Sequence, residues 1–514
     1  HVSLGRLAAP RIQLERKAIS VKRTAVVGAG IGGLCTAIFL AMRGQTVEVF
    51  EKNEQAGGKL WGFEAKGFRF SYGPSTLTMP WLFTEMAEQS GLGADILPYQ
   101  RLPVLHRNIF ADGRSIDACE SVTSMQHQIE AFSAADAAAW PHYLRDANRL
   151  YDLAMRHFFT RSFTKLREFV SLPLLRAVLA TRPQWSLSRY HRQFFKDPHV
   201  LMLVDRYATY VGSDPAQAPA TLGMIGHIEY GTGVHYLPGG TAGLIHALLQ
   251  ICERLNVEVH TSSPVSQIVI ANGTARGLRV RDETVAFDAI CVAADIGYAA
   301  RHLIAADAAP RSWRKRIVSG QLSHSGFVLL LGINRRYDHL HHHTVFYPHE
   351  YRGEFEQLFG QSAPLKDPTI YICNTSVSDP TQAPAGGCNL FVLVNAPATA
   401  EPVDAETWLA YEDHLIDVLE QRCQLHGLRR AIVVRQRVSP DVLATRTHTF
   451  AGAIYGLSSN SIQAAFMRPP MRVRGIDRLY FVGGSTHPGG GTPMVALSAR
   501  LGAALVDDEL RQRR

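Results

Sequence analysis

"KRTAVVGAGIGGLCTAIFLAMRGQTVEVFEK" (residues 22–52) decides the fold. Thr24–Val27 is a short apolar run of β character. Gly28-Ala29-Gly30-Ile31-Gly32-Gly33 is a GxGxxG turn, Leu34–Arg43 reads as an apolar helix closed by Gly44, and Thr46–Phe50 alternates as a second strand that ends at Glu51. Strand, glycine turn, helix and strand open a doubly wound α/β domain that holds a dinucleotide. Each glycine has a task. Gly28 makes the turn, Gly30 lets a pyrophosphate approach the backbone, and Gly33 lets the helix pack on the strand. The helix start offers unpaired N–H groups and the positive end of its dipole to phosphate. Glu51, about 20 residues on, is placed to accept hydrogen bonds from ribose hydroxyls.

Just beyond Glu51 comes a second glycine pair with a cation, Gly57-Gly58-Lys59. This arrangement resembles flavoproteins of the glutathione-reductase and amine-oxidase type, in which the extra loop lies along the FAD pyrophosphate. The resemblance gives Gly58 and Lys59 a place in the cofactor site.

A second α/β signature lies far downstream, in residues 236–295. Gly239-Gly240 leads into a helix over 243–255, followed by β-runs at Val257–His260, Val265–Ile270, Gly277–Val280 and Ala289–Ala293. Asn272-Gly273 between two of these runs is a hairpin signal. By the same resemblance Val265 is a candidate for a backbone contact to adenine, and ordinary core packing is the alternative. The glycine-rich "GGSTHPGGGTPMVALSARLGAAL" (483–505) supplies a third piece.

Together with "GFRFSYGPSTLTMP" (67–80), residues 206–240, 323–347, 367–384, "FVLVNAP" (391–397) and "GAIYGLSSN" (452–460), these segments resemble the bacterial-type phytoene desaturases and related carotenoid desaturases over nearly the whole chain. Ser71 departs from the pattern, where Asp is expected. The resemblance implies a discontinuous Rossmann-like α/β domain binding FAD through 22–80, 230–300 and 466–510. It also implies a mixed-sheet substrate domain that includes 301–465, and a helical, membrane-facing part within 81–229. Gly484 then reaches the ribityl and phosphate region of FAD, Met494 packs against the flavin ring, and the helix from about Thr492 aims its N–H groups at that ring, with Pro493 in a first turn that tolerates the missing donor. His487 reads as a structural histidine. The implied reaction is flavin-dependent desaturation of a long linear isoprenoid, with oxygen or a membrane quinone as the final electron acceptor. Loss of hydride leaves an allylic cation whose neighbouring C–H is acidic, so no strong protein base is required, and no catalytic residue is assigned. Alternatives on the same scaffold are a carotenoid oxygenase, ketolase or isomerase, an amine or porphyrinogen oxidase, and a prenyl-lipid carrier that uses no flavin.

Composition sets the remaining bounds. The chain has 514 residues, 46% hydrophobic and 19% charged, enough for two or three domains. No apolar run approaches the roughly 18 residues of a membrane span, and "GFVLLLGI" (326–333) fits a buried strand. The seven cysteines form no CxxC pair, as expected of reduced thiols in a cytoplasmic protein. The leader over residues 1–20 has no apolar segment of the secretory kind and is set aside. A net charge of +8 suits an anionic partner. Residues 151–197 are rich in Arg, Phe and Leu, and Phe158, Phe159, Phe163, Leu166 and Phe169 recur at roughly helical spacing among Arg156, Arg161, Lys165 and Arg167. A basic amphipathic helix of this kind belongs on a membrane surface, which predicts a peripheral membrane protein. Nucleic acid is not expected, since no binding fold accompanies the charge. "DHLHHHT" (338–344) invites a metal, but neighbouring histidines on a strand diverge, so no metal is expected.

Overall fold

The computed structural model describes residues 22–512 except 74–75, 165–167, 169–170, 400, 402 and 462–467. The leader lies outside the described residues.

A five-stranded parallel sheet is assembled from distant parts of the chain. Its order is Leu479–Phe481, Ala289–Val292, Arg23–Val27, Thr46–Phe50 and Glu258–His260. Val27 pairs with Phe50 on one side and Val292 on the other. The central strands are apolar on both faces because helices cover one face and a three-stranded meander packs on the other, so both are shut off from water. Ala25, Val26, Ile290 and Cys291 are wholly buried. The helices Ile31–Ala41 and Thr492–Gln512 lie against one another, and a Cβ at Gly32 would sit 3.2 Å from both Gly483 Cα and Val495 Cγ1. The meander, Val265–Ala271, Thr274–Val280 and Glu283–Ala286, flanks the sheet. Its first turn is the expected Asn272-Gly273, with φ of 51° and 69°.

The second unit is a seven-stranded mixed sheet in the order Ile432–Val438, Ser325–Ile333, Cys388–Ala396, Ile370–Cys373, His343–Phe346, His106–Ile109 and Ser115–Ala118. All nine residues of Ser325–Ile333 are buried, which accounts for its unbroken apolar run. The helix Ala405–Gln421 covers one face. Its Trp408, Tyr411, Leu415 and Leu419 pack on Phe327, Leu329 and Leu331. A third layer of helices includes Ala134–His157, Pro198–Asp205 and Met224–Tyr230, and buries Trp140, Tyr143, Tyr190, Phe195 and Tyr207.

The basic aromatic helix expected around Phe158–Val170 does not form where it can be seen. The helix Ala134–His157 stops at Phe158, Phe159 is buried, and Phe163 has φ of 51°. Lys165, Leu166, Arg167, Phe169 and Val170 lie outside the described residues. The helical spacing was misleading because Phe159 is drawn into the core instead of sharing an outer face. A helix instead spans Leu172–Ala180, started by the Ser171 hydroxyl, which accepts the Leu174 N–H. No helix among the described residues is long and apolar enough to cross a membrane.

Candidate functional site: a glycine cradle

The first glycine turn folds as its spacing demands. Gly28 has φ of +97°, and a Cβ at Gly33 would lie 1.8 Å from the Gly28 carbonyl oxygen. No side chain larger than hydrogen fits there. The helix Ile31–Ala41 begins after Gly30, which offers no capping side chain, so no cap competes with an anion for its first N–H groups. Glu51 is buried at the end of its strand. Its Oε2 accepts the Ala29 N–H at 2.8 Å, while Oε1 accepts the Asn53 N–H at 2.9 Å and its side-chain amide at 2.7 Å. The carboxylate therefore shapes the glycine loop itself.

The second glycine pair docks on the first. Gly57 N–H donates to the Ala29 carbonyl at 2.9 Å. Gly58 has φ of +56°, and a Cβ on it would stand 3.0 Å from Gly30 Cα. Lys59 is half-buried beneath, its Nζ donating to the Ile454 carbonyl. Desolvation pushes the Lys59 pKa down, and the nearby Asp295 carboxylate opposes that shift. Asp295 is itself half-buried, and its desolvation raises its pKa against the pull of Lys59. It also accepts the N–H groups of Gly297 at 2.9 Å and Tyr298 at 3.1 Å.

The tail closes the cradle. Gly483 N–H donates to Ser498 Oγ at 3.1 Å, and that hydroxyl donates to the His487 carbonyl at 2.8 Å. A Cβ on Gly490 would fall 2.2 Å from Tyr455 Cδ1, so the Tyr455 ring and the glycine backbone touch. Beside Gly489 runs Arg468, which donates to the Tyr455 carbonyl at 2.9 Å, the Gly484 carbonyl at 3.2 Å and Ser459 Oγ at 3.1 Å. Burial lowers its pKa to about 10, so it stays charged at neutral pH. These three acceptors are neutral, and its Nε is buried without a partner among the described residues. His487 Nε2–H donates to the Arg161 carbonyl at 2.9 Å, and burial holds the ring neutral with a pKa of about 4.

Gly28, Gly30, Gly33, Glu51, Gly58, Lys59 and Gly484 thus gather in one place. Met494, third residue of the final helix, is half-buried against the main core. Val265 opens the meander, paired with Val280, two residues beyond Ser263, whose N–H donates to the Glu51 carbonyl at 2.7 Å. Asp295, Tyr455 and Arg468 were missed, since neither a strand-end carboxylate nor an arginine near the tail has a spacing of its own.

The cradle fits FAD on its own terms: two abutting glycine loops, an uncapped helix start, and a buried guanidinium that bonds no anion among the described residues. Comparison with known proteins decides the matter. The model of the flavin containing amine oxidoreductases matches residues 31–507. The chain belongs to that family. FAD is its cofactor, and it is a FAD-dependent oxidoreductase. A 4,4'-diapolycopene oxygenase of Methylomonas sp. is 32% identical over 93% of this chain and 97% of its own length. A 4,4'-diapophytoene desaturase of Staphylococcus haemolyticus is 30% identical over 94% and 98%. Among solved structures, an oxidoreductase from Methanosarcina mazei superposes with a TM-score of 0.61 at 16% identity, covering 95% of this chain and all of the other. That last likeness concerns the fold alone.

Proposed function

We propose that this flavoprotein desaturates a linear carotenoid precursor of the phytoene or diapophytoene type. The observation that carries the reading is the near-full-length likeness to enzymes named for linear carotenoids, joined to a cradle wall whose nearby cations disfavour an amine. Arg468 is buried there and donates only to neutral oxygens, with no carboxylate bonded to it among the described residues. An ammonium substrate beside it would be repelled at low dielectric, whereas a neutral polyene is not. FAD supplies the hydride acceptor for removing hydrogen from a CH2 group, the neighbouring carbon losing a proton. The chain's own groups bind and enclose. Residues 22–80, 230–300 and 466–510 hold the cofactor, with Glu51 toward the ribose, Lys59 and Arg468 as fixed positive charge, and Val265 and Met494 at its edges. Residues 81–229 and 301–465 enclose the substrate.

The same reading places the protein on a membrane surface in the cytoplasm. Leu172, Leu175 and Leu179 share one face of the Leu172–Ala180 helix and are 59%, 56% and 64% exposed. Leaving each in water forgoes about 1.5–3 kcal/mol, which contact with lipid recovers. Arg182 and Arg189 flank them, both stacked near Trp185, at 5.3 Å and 4.6 Å. Oxygen or a membrane quinone then takes the electrons.

Terminal oxygenation is a second reading, favoured by the 32% identity to a diapolycopene oxygenase. One experiment separates them. The FAD-loaded protein is incubated with vesicles carrying phytoene or diapophytoene, and separately diapolycopene, under oxygen or with a quinone. Products absorbing at longer wavelength with two hydrogens fewer support desaturation. Products with an added terminal oxygen transfer the assignment to the second reading, and no conversion of any polyene rejects both.

A further inference from the structure

The histidine run folds against a cysteine. His343 opens its strand directly opposite Cys373 in the antiparallel pairing with Ile370–Cys373. Residues opposed in this way carry Cβ atoms about 4.5–5.5 Å apart on one face. His342 stands just before the strand, outside the alternation that separates neighbours. Its ring centroid lies 4.5 Å from that of His343, at 70°. One donor atom from each of His342, His343 and Cys373 lies within 4.8 Å of the others, and all three residues are buried. The divergence expected from the sequence therefore does not hold at this pair.

The hydrogen bonds prepare both imidazoles. His342 Nδ1 is 2.7 Å from Ser378 Oγ, and His343 Nδ1 is 2.8 Å from the Tyr371 hydroxyl. With each Nδ1–H donating to its oxygen, each Nε2 keeps a lone pair. Both Nε2 atoms are buried without a partner among the described residues. Such an atom costs about 1–3 kcal/mol, and here two belong to neighbouring rings. An imidazole fixed through one nitrogen and bare at the other is how metal-bound histidines are held. Burial also keeps both rings neutral, His342 with a pKa of about 4, which is the ligating form.

We propose that His342, His343 and Cys373 form a three-ligand site for a zinc-class cation, with the fourth position open. Two imidazoles and a thiolate suit a small, borderline-soft ion and not magnesium or calcium. Tetrahedral bonds to nitrogen and sulfur place the donors roughly 3.3–3.8 Å apart, so the cluster closes by no more than about 1.5 Å. On binding, the Cys373 thiol gives up its proton to solvent, a metal–sulfur bond forms, and no electron changes hands. Cys373 also lines a cleft with Tyr236, Thr375, Gln382 and Asn389, which provides an entry route and room for a water ligand. Cys373 pairs with Phe391, and Phe391 with Leu330, five residues along the strand from Ser325. That is about 17 Å of strand from the end nearest Tyr455. The ion would therefore clamp the 338–342 segment to the cleft wall.

The test uses the FAD-loaded full chain, stripped with chelator and dialysed against dilute zinc chloride, with metal counted per chain by mass spectrometry. About one zinc per chain is expected, falling at least about tenfold in Cys373→Ser and in His343→Gln. The partly exposed group Glu48, Glu258 and His260 is the internal control, and His260→Gln should leave the count unchanged. Cobalt in place of zinc should give wild-type protein ligand-field bands to the red of the flavin that Cys373→Ser lacks. This reading needs no folded histidine variant. Wild type holding less than about 0.1 zinc per chain, zinc retained in Cys373→Ser, or zinc lost with His260→Gln each overturns the site.

Discussion

The cofactor cradle and the buried wall of the helical layer solve opposite problems with opposite materials. The cradle admits a large anionic molecule, so side chains are removed. Gly28, Gly30, Gly33, Gly58, Gly484 and Gly490 leave backbone N–H groups and carbonyls as the surface. The wall admits nothing from water and is built from side chains. Glu229 is fully buried and accepts the Tyr210 hydroxyl at 2.6 Å, with His106 Nε2 at 3.2 Å and Arg206 nearby. Burial works to raise the Glu229 pKa, but His106, Arg206 and Tyr210 outweigh it and hold it at about 2. Burial and Arg206 together lower the His106 pKa. His106 is therefore best read as a neutral donor, with Arg206 as the counter-charge. In the cradle a substitution fails by collision, and in the wall it fails by orphaning a charge.

The largest effect expected is Gly33→Ala. A methyl group 1.8 Å from a backbone oxygen has no rotamer to escape into, and the helix must leave the strand. A loss above about 3 kcal/mol is expected, read as chain without flavin and a lowered urea midpoint. If Gly33→Ala purifies with full flavin, the collision argument for the cradle is broken.

Glu229→Ala comes next. Removing the carboxylate leaves Arg206 buried with its Nε and Nη2 already lacking partners among the described residues, at a cost of about 3–5 kcal/mol. The pH dependence gives the sign. A carboxyl with a depressed folded pKa contributes fully above its unfolded value, near 4.5, and loses that contribution as pH falls toward about 2. The gap in denaturation midpoint between wild type and Glu229→Ala should therefore be widest above pH 5 and shrink steadily below it. A gap that ignores pH would mean that the network is held by packing alone.

The two regions also differ in how far the sequence discloses them. The cradle's first loop was legible because its residues are neighbours: GxGxxG, Glu51 and Gly57-Gly58 fall within about thirty positions and carry fixed spacing. The tail was placed by its glycine density. The wall was not legible. His106, Arg206 and Glu229 come from a strand and two helical segments more than twenty residues apart, and nothing local marks any of them. Arg468 and Asp295 escaped for the same reason, since each acts through contacts made only after folding. The helical reading failed over residues 158–163, where periodicity alone was asked to decide which face is outside. Phe159 shows the core claiming what looked like surface.

Glu51→Ala tests the cradle more gently. It frees the Ala29 and Asn53 N–H groups and removes the acceptor proposed for the ribose. FAD affinity should drop about 10- to 100-fold, the equivalent of roughly 1.4–2.7 kcal/mol, with little change in the fold of the flavin-free chain. Unchanged flavin occupancy at limiting FAD would remove Glu51 from the site.

Tyr210→Phe is the smallest and most discriminating change. Its hydroxyl donates to Glu229 at 2.6 Å and accepts from Arg206 Nη1 at 2.8 Å, so it is a bridge between the two charges. Phenylalanine keeps the ring and its packing, leaving only those two bonds to be lost. The cost should be about 1–2 kcal/mol at pH 7, less than half of the roughly 5 kcal/mol that removing a buried charge costs at the upper end of its range. Because one donor to the carboxylate is gone, the folded pKa of Glu229 rises toward its unfolded value. The acid limb of the stability profile then moves to higher pH, while the plateau falls only slightly. A lowered plateau with an unmoved acid limb would mean that the hydroxyl braces Arg206 and not Glu229, and that the wall is organised around its cation.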